Sequence, residues 1–322
     1  MRFFLVFLIL KSLTFFVGCK SKKEEKIVLD SKDLESQMTE AYNEGLKALE
    51  EGDVLFAAKN FNIVENIYPQ DAAGRVQDYD PHIVALTAKT LGWPAVIEIA
   101  QMVRQAAPKA IVVVGGPQLS IYPEESLSWE CFDIAVVGDG EETLLEICER
   151  IQSGSDYTDI LGTCVRLPDG SVRRNPPRPL SKDIDKYPMA GWDLLPVQDY
   201  HCLTLLKPFA TMVTTRGCPW HCGYCSQVYS EKLRFRDVEL VVDEMEYLVK
   251  NHGVKEIVFF DETFTIGKKR MRHFSNEIFR RNLQVKFNIR ARVDTIDREV
   301  VRLLKRAGLR SIHMGVEAGT DR

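Results

Sequence analysis

The chain has 322 residues, 45% hydrophobic and 27% charged, enough apolar material for about two packed domains, and this composition excludes a disordered chain. A formal net charge of −4 gives no basic field of the kind that gathers nucleic acid regardless of sequence, so no nucleic-acid partner is expected. Eight cysteines are too sparse in so long a chain for a disulfide framework, and three of them fall within eight residues, a cluster that points to metal ligation in a reducing compartment. Cys131, Cys148, Cys164 and Cys202 read as packing residues.

Residues 1–19 form the first segment. After Arg2, an apolar run from Phe3 to Val17, broken by Lys11, reaches Gly18-Cys19 and then the charged SKKEEK. The run is short for a membrane span and has the make-up of a secretory signal, with a buried apolar helix as the alternative. Gly18-Cys19 resembles the cleavage box of bacterial lipoproteins, whose cysteine receives lipid. In residues 20–75, Gly45, Gly52-Asp53, Ala57, Phe61 and Pro69 reproduce the spacing of one tetratricopeptide repeat, an α-helical hairpin. A lone repeat cannot bury its apolar face, and no second copy follows, so an ordinary amphipathic hairpin is the alternative. Together, residues 1–75 resemble the start of an envelope lipoprotein with such repeats.

Residues 76–160 change to short β-branched runs alternating with helical stretches, the pattern of a parallel sheet. Strands are expected at His82 to Thr87, Ile111 to Gly115 and Asp133 to Gly138. Helices are expected over PAVIEIAQMVRQAAP and EETLLEICERIQSG, the second closed by Gly154. Gly115-Gly116-Pro117 and Gly138-Asp139-Gly140 follow strands and lead towards helices, where doubly wound sheets take their ligands, although turn glycines there are also common as structure alone. VVVGGPQLSIYPEESL followed by DIAVVGDGEETLLEI resembles the cobalamin-binding domain that precedes the catalytic barrel in many radical S-adenosylmethionine (SAM) proteins. That resemblance implies cobalamin contacts from Thr87, Gly115, Gly116, Gln118, Gly138 and Gly140. It begins at the family's third strand, and Gln118 stands where the family usually has histidine after GGP, so histidine ligation of cobalt is not expected.

Residues 161–206 read as a linker with a hairpin at Pro168-Asp169-Gly170, a Pro/Arg-rich run whose Arg173, Arg174 and Arg178 are solvated surface, and the bridge-like GWDLLPVQDY.

In residues 207–322, an apolar strand from Phe209 to Thr214 runs directly into RGCPWHCGYCSQ. The spacing Cys218-x3-Cys222-x2-Cys225 offers three thiolates from one short loop, which suits three corners of a cubane cluster and leaves the fourth iron open. A zinc site completed by His221 or His201 is the alternative, and it lacks a second cysteine pair. Strands at Glu256 to Phe260, Val285 to Arg290 and Ser311 to Val316 alternate with helices at Val238 to Asn251, Lys268 to Arg281 and Asp297 to Ala307, the order of a partial barrel. Asn288, Arg290 and Arg292 alternate along one strand and share a side.

The cysteine motif closely resembles that of the radical SAM family. The resemblance implies a 4Fe-4S cluster on Cys218, Cys222 and Cys225, whose open iron chelates SAM, and reductive cleavage to a 5′-deoxyadenosyl radical. It further implies Tyr224 beside the adenine, Asp261 and Glu262 at the SAM amino group, Arg290 at its carboxylate and Glu317 near its ribose. The expected fold is α/β: a partial doubly wound cobalamin-binding (Rossmann-like) sheet, then a partial (βα)6 barrel, with an N-terminal α-helical hairpin. Family barrels continue through two more strands, and an arc of four leaves an unpaired edge and an unclosed active-site wall, which puts the activity of this 322-residue form in doubt.

The resulting expectation is an enzyme that methylates or cyclises a small-molecule substrate, resembling anaerobic magnesium-protoporphyrin ester cyclases and radical methyltransferases. Its electron donor would be a flavodoxin or ferredoxin and its compartment the cytoplasm. The competing expectation is an envelope lipoprotein scaffold, with membrane contact through residues 1–19; a third is that residues 1–75 derive from another coding sequence. That origin is either a fusion or a mis-assembly, and mass spectrometry of the source cells tests the second: mis-assembly predicts no peptide spanning Pro69 to Asp80, and detecting that peptide refutes it.

Overall fold

A computed structural model describes residues 76–78, 80–200, 202, 204–225 and 230–316, with the backbone of Phe3–Phe4. The signal-like run beyond that dipeptide, the lipoprotein-like Cys19, the repeat-like hairpin, His201 and Glu317 lie outside the described residues. The chain divides into two compact units, Met1–Arg178 and Pro179–Arg322. Among the described residues no helix is long and apolar enough to cross a membrane.

The first unit is a six-stranded sheet in the order β1-β2-β3-β4-β5-β6, formed by Phe3–Phe4, Ile83–Thr87, Ile111–Gly115, Ile134–Val136, Thr163–Arg166 and Val172–Arg174. The first four strands are parallel; β5 and β6 add antiparallel. Side chains alternate between two cores, as strand geometry requires. Val84, Leu86, Val112, Val114 and Ala135 pack with Val96, Ile97, Ala100 and Val103 of α1 (Trp93–Ala106). Leu119, in the short helix α2 (Pro117–Ile121), joins the same face. Ile83, Val113, Ile134 and Val136 pack on the other face with Ile147 of the helix Glu141–Ser153.

Two apolar faces covered by helices explain why these strands read as unbroken β-branched runs. The arrangement is the doubly wound one. The hairpin assigned above to the linker is instead the antiparallel edge of this sheet, turning at Gly170 with φ +84. Its arginines are engaged within the unit: Arg173 donates to the Thr158 carbonyl, Arg174 pairs with Glu124 at 3.2 Å, and Arg178 pairs with Glu146. Phe3–Phe4 lies beside Ile83–Val84 at the edge of the sheet.

The second unit holds four parallel strands in simple chain order, β7 (Phe209–Met212), β10 (Glu256–Phe259), β11 (Lys286–Ala291) and β12 (Leu309–Met314). A helix follows each of β7, β10 and β11: Val238–His252, Lys268–Arg280 and Arg298–Ala307. Asp237 and Asp297 act as N-caps, their carboxylates accepting from Glu239 N at 2.7 Å and Val300 N at 2.8 Å. Asp297 therefore precedes its helix rather than beginning it.

All three helices pack on one face, where Ala210, Met212, Ile257, Phe259, Phe287 and Ile289 meet Met245, Leu248, Phe274, Ile278 and Leu304 in a single core. Chain-ordered parallel strands with helices on one side make an arc of a (βα) barrel. The opposite face is polar. Fully enclosed Glu256 accepts from Leu206 N and Asn288 Nδ2, each at 2.6 Å, and from Arg310 Nη1 at 2.6 Å; Ser311 extends the chain to Asn288. This network ties three strands together at their amino ends. Glu256→Ala strands the Asn288 amide and the Leu206 N–H without their acceptor and should lower stability by about 2–4 kcal/mol, read as a reduced urea midpoint at unchanged slope.

Candidate cluster and nucleotide-facing sites

The three cysteines sit on a loop pinched at its base. β7 leads through Thr214 into β8 (Thr215–Arg216), which pairs antiparallel with β9 (Arg234–Phe235) on the far side of the loop. Gly217, with φ +91, lets the two strands of the loop approach: a Cβ there would lie 2.4 Å from the Ser230 carbonyl oxygen and 2.5 Å from that of Lys232. Within the loop, Cys218 N donates to the Ser230 carbonyl at 3.2 Å and Cys225 N to the Cys222 carbonyl at 2.9 Å. Cys218 and Cys222 are half-buried, Cys225 is exposed, and none is in a disulfide.

Partial burial, then Cys218 and Cys222, push the Cys225 thiol above its ordinary range, since neighbouring thiolates repel. A cationic centre relieves that repulsion. His221 faces Glu231 at 3.4 Å on the surface.

Asp261, just past β10, is fully buried. One carboxylate oxygen accepts from Thr214 N at 2.6 Å, Thr215 N at 2.5 Å and Thr215 Oγ1 at 3.1 Å, and the other from Thr214 Oγ1 at 3.0 Å. Burial raises its carboxyl while these four donors act the other way. The expectation that Asp261 meets a SAM amino group is therefore revised: its oxygens are committed to the strand entering the cysteine loop. Glu262 is half-buried, lifted above its usual range first by burial, and coupled both to Cys225 and to Arg290. Arg290 is exposed, with its guanidinium 4.5 Å from the Phe260 ring centroid. Tyr224 is 71% exposed. Asn288 shares the barrel-interior face with Arg290 but is spent on Glu256.

Sequence reading missed Thr214 and Thr215 and assigned no role to Arg292. Arg292 sits 4.5 Å from the Trp220 ring centroid, its Nη1 is 3.3 Å from Cys222 Sγ, and Asp294 takes its Nε at 3.0 Å and Nη2 at 2.8 Å. The signal was the alternation with Arg290, which placed it on the correct face without naming a partner.

In the first unit the carboxyl ends of β2, β3 and β4 lie along one edge of the sheet, bringing Thr87, Gly115 and the Gly138 loop to the same side. Gly116 has φ +97, and a Cβ there would lie 2.7 Å from both the Ala88 carbonyl and Thr87 Oγ1. Ala88 N donates to Gly115 O at 2.8 Å and Gln118 N to Ala88 O at 3.1 Å, stitching the first two loops together. Gly138, with φ +82, faces open space, and its N–H lies 3.4 Å from Ser120 Oγ; Gly140 opens the following helix. Gln118 is buried, and its Oε1 has no hydrogen-bond partner among the described residues. An enclosed acceptor left without a donor at a glycine-lined sheet edge fits a ligand that brings the donor.

Comparison with known proteins places both units. The family described as "Radical SAM superfamily" matches residues 212–322, and that described as "B12 binding domain" matches residues 53–148. An uncharacterized methyltransferase of Pyrococcus horikoshii is 32% identical over 81% of this chain and 57% of its own length. The anaerobic magnesium-protoporphyrin IX monomethyl ester cyclase of Rubrivivax gelatinosus is 31% identical over 86% of this chain and 50% of its own. The chain thus spans about half the length of these curated relatives. Among solved structures, the radical SAM methyltransferase TsrM from Kitasatospora setae superposes with a TM-score of 0.65 at 20% identity, covering 79% of this chain and 52% of that one, which shows a shared fold.

Gly217→Ala tests the pinched loop. The added methyl forces the Ser230 and Lys232 carbonyls apart, and the variant should bind at most about a tenth of the wild-type iron after anaerobic reconstitution while keeping its far-ultraviolet circular dichroism.

Proposed function

The chain belongs to the radical SAM superfamily, with a B12-binding domain ahead of its radical SAM domain, and from that premise we propose that it is an enzyme that methylates or cyclises a small-molecule substrate at carbon. The observation that carries this reading is the pinched loop at the carboxyl end of β7, which presents three thiols outside any disulfide. Cys218, Cys222 and Cys225 would hold a 4Fe-4S cluster. When bound, the cluster and SAM supply one-electron cleavage of a sulfonium and so radical chemistry at an unactivated carbon.

The chain's own residues do the positioning. Glu262 is a carboxyl acceptor near Cys225 and would take the ammonium of SAM; Arg290, braced on Phe260, would take its carboxylate. Asp261 fixes the strand from which the cysteines hang. Tyr224 lies in the cysteine loop on the side open to adenine, and Glu317 is assigned the ribose. In the first unit, Gln118 Oε1 and the glycine loops at Gly115-Gly116 and Gly138 to Gly140, with Thr87, receive cobalamin. Gln118 offers an acceptor and no imidazole. A flavodoxin or ferredoxin delivers the electron, in the cytoplasm. The scaffold alternative draws no support from the matched proteins.

Anaerobic reconstitution should give the absorbance of a 4Fe-4S cluster and reductive cleavage of SAM, both abolished in Cys222→Ala; a preparation that takes up zinc alone sinks the reading. Glu262→Gln and Arg290→Gln should each weaken SAM binding roughly 10- to 100-fold, the loss of one charge-assisted hydrogen bond, measured as Kd by equilibrium dialysis.

A further inference from the structure

The cluster loop has a second anchor that the family chemistry does not call for. Arg292 is the first residue after β11, so a strand of the barrel arc fixes its backbone, and its side chain reaches a cysteine 70 residues earlier in the chain. Three contacts hold the guanidinium. Its face lies over Trp220 at 4.5 Å, one edge is forked onto the Asp294 carboxylate at 3.0 and 2.8 Å, and the remaining nitrogen, Nη1, is left aimed at Cys222 Sγ at 3.3 Å. Trp220 and Cys222 belong to the same loop, so one side chain braces the loop and donates to one of its sulfurs.

Resting on the cluster reading above, we infer that Arg292 is a positioning residue that sets the reduction potential of the centre on Cys222. A donor to a ligating sulfur withdraws electron density from it, and a fixed positive charge nearby favours the more negative, reduced state; both raise the midpoint potential. The planar fork matters as well as the charge. Asp294 and Trp220 between them leave the guanidinium little rotational freedom, so the N–H that points at sulfur is preorganised.

The test uses the full chain, reconstituted anaerobically with iron and sulfide, and reads the midpoint potential by dithionite titration followed by electron paramagnetic resonance. Arg292→Gln should keep the wild-type iron and sulfide content and shift the midpoint to more negative potential. Arg292→Lys, which retains the charge without the fork, should fall between the two. Equal midpoints for wild type and Arg292→Gln overturn the inference. Should Arg292→Gln fail to hold iron, Arg292→Lys decides: a midpoint more negative than wild type supports the inference, and one equal to wild type overturns it. A wild-type chain that assembles no 4Fe-4S cluster refutes the parent reading instead, so the two failures are distinguishable.

Discussion

A carboxylate enclosed on every side, Asp261, governs how the cysteine loop leaves the second unit. A buried anion is costly unless donors surround it, and here two amides and two hydroxyls from Thr214 and Thr215 do so. The satisfaction is reciprocal: beyond β7 the N–H groups of Thr214 and Thr215 find their acceptor in the acid at the end of β10. From that fixed point Gly217 turns the chain back against Ser230 and Lys232, and the three cysteines follow. Arg292 then reaches the loop from the end of β11. Elements that meet only through the fold thus hold a segment with little regular structure of its own.

The two units build different architectures from the same alternation of strand and helix. In the first, the central strands β2 to β4 are apolar on both faces and helices cover both, and the unpartnered Gln118 Oε1 follows the carboxyl end of β3. In the second, one face of each strand meets helices and the other carries Glu256, Asn288, Arg290 and Ser311. That polar face is graded along its length. Its amino end is closed by the Glu256 network, and its carboxyl end carries the charged pair Arg290 and Glu262.

Much of this was legible beforehand, because it depends on local spacing. The cysteine motif, the glycines after β3 and β4, the Gly154 helix stop and the alternation of Asn288 with Arg290 are decided by residues close in sequence, and each stands where it was expected. What was not legible depends on contacts between distant residues. Asp261 was read as a ligand because a carboxylate after a strand looks the same in sequence whether it faces a substrate or, 47 residues away, the backbone of Thr214. Arg292 gave its face but not its partner, since Cys222 lies 70 residues off. The Gly170 hairpin followed ordinary turn chemistry, yet only cross-strand pairing of Thr163, Cys164 and Val165 with β4 made it an edge of the sheet rather than a linker.

The central claim is that Cys218, Cys222 and Cys225 hold a 4Fe-4S cluster with one iron left for SAM. Mössbauer spectroscopy of the full chain, reconstituted anaerobically with enriched iron and recorded with and without SAM, addresses it directly. The account predicts a 4Fe-4S spectrum in which adding SAM changes one iron of the four and leaves the other three as they were, as expected when three irons have cysteine ligands and one does not. A spectrum that SAM leaves untouched, or one in which all four irons respond alike, would contradict it.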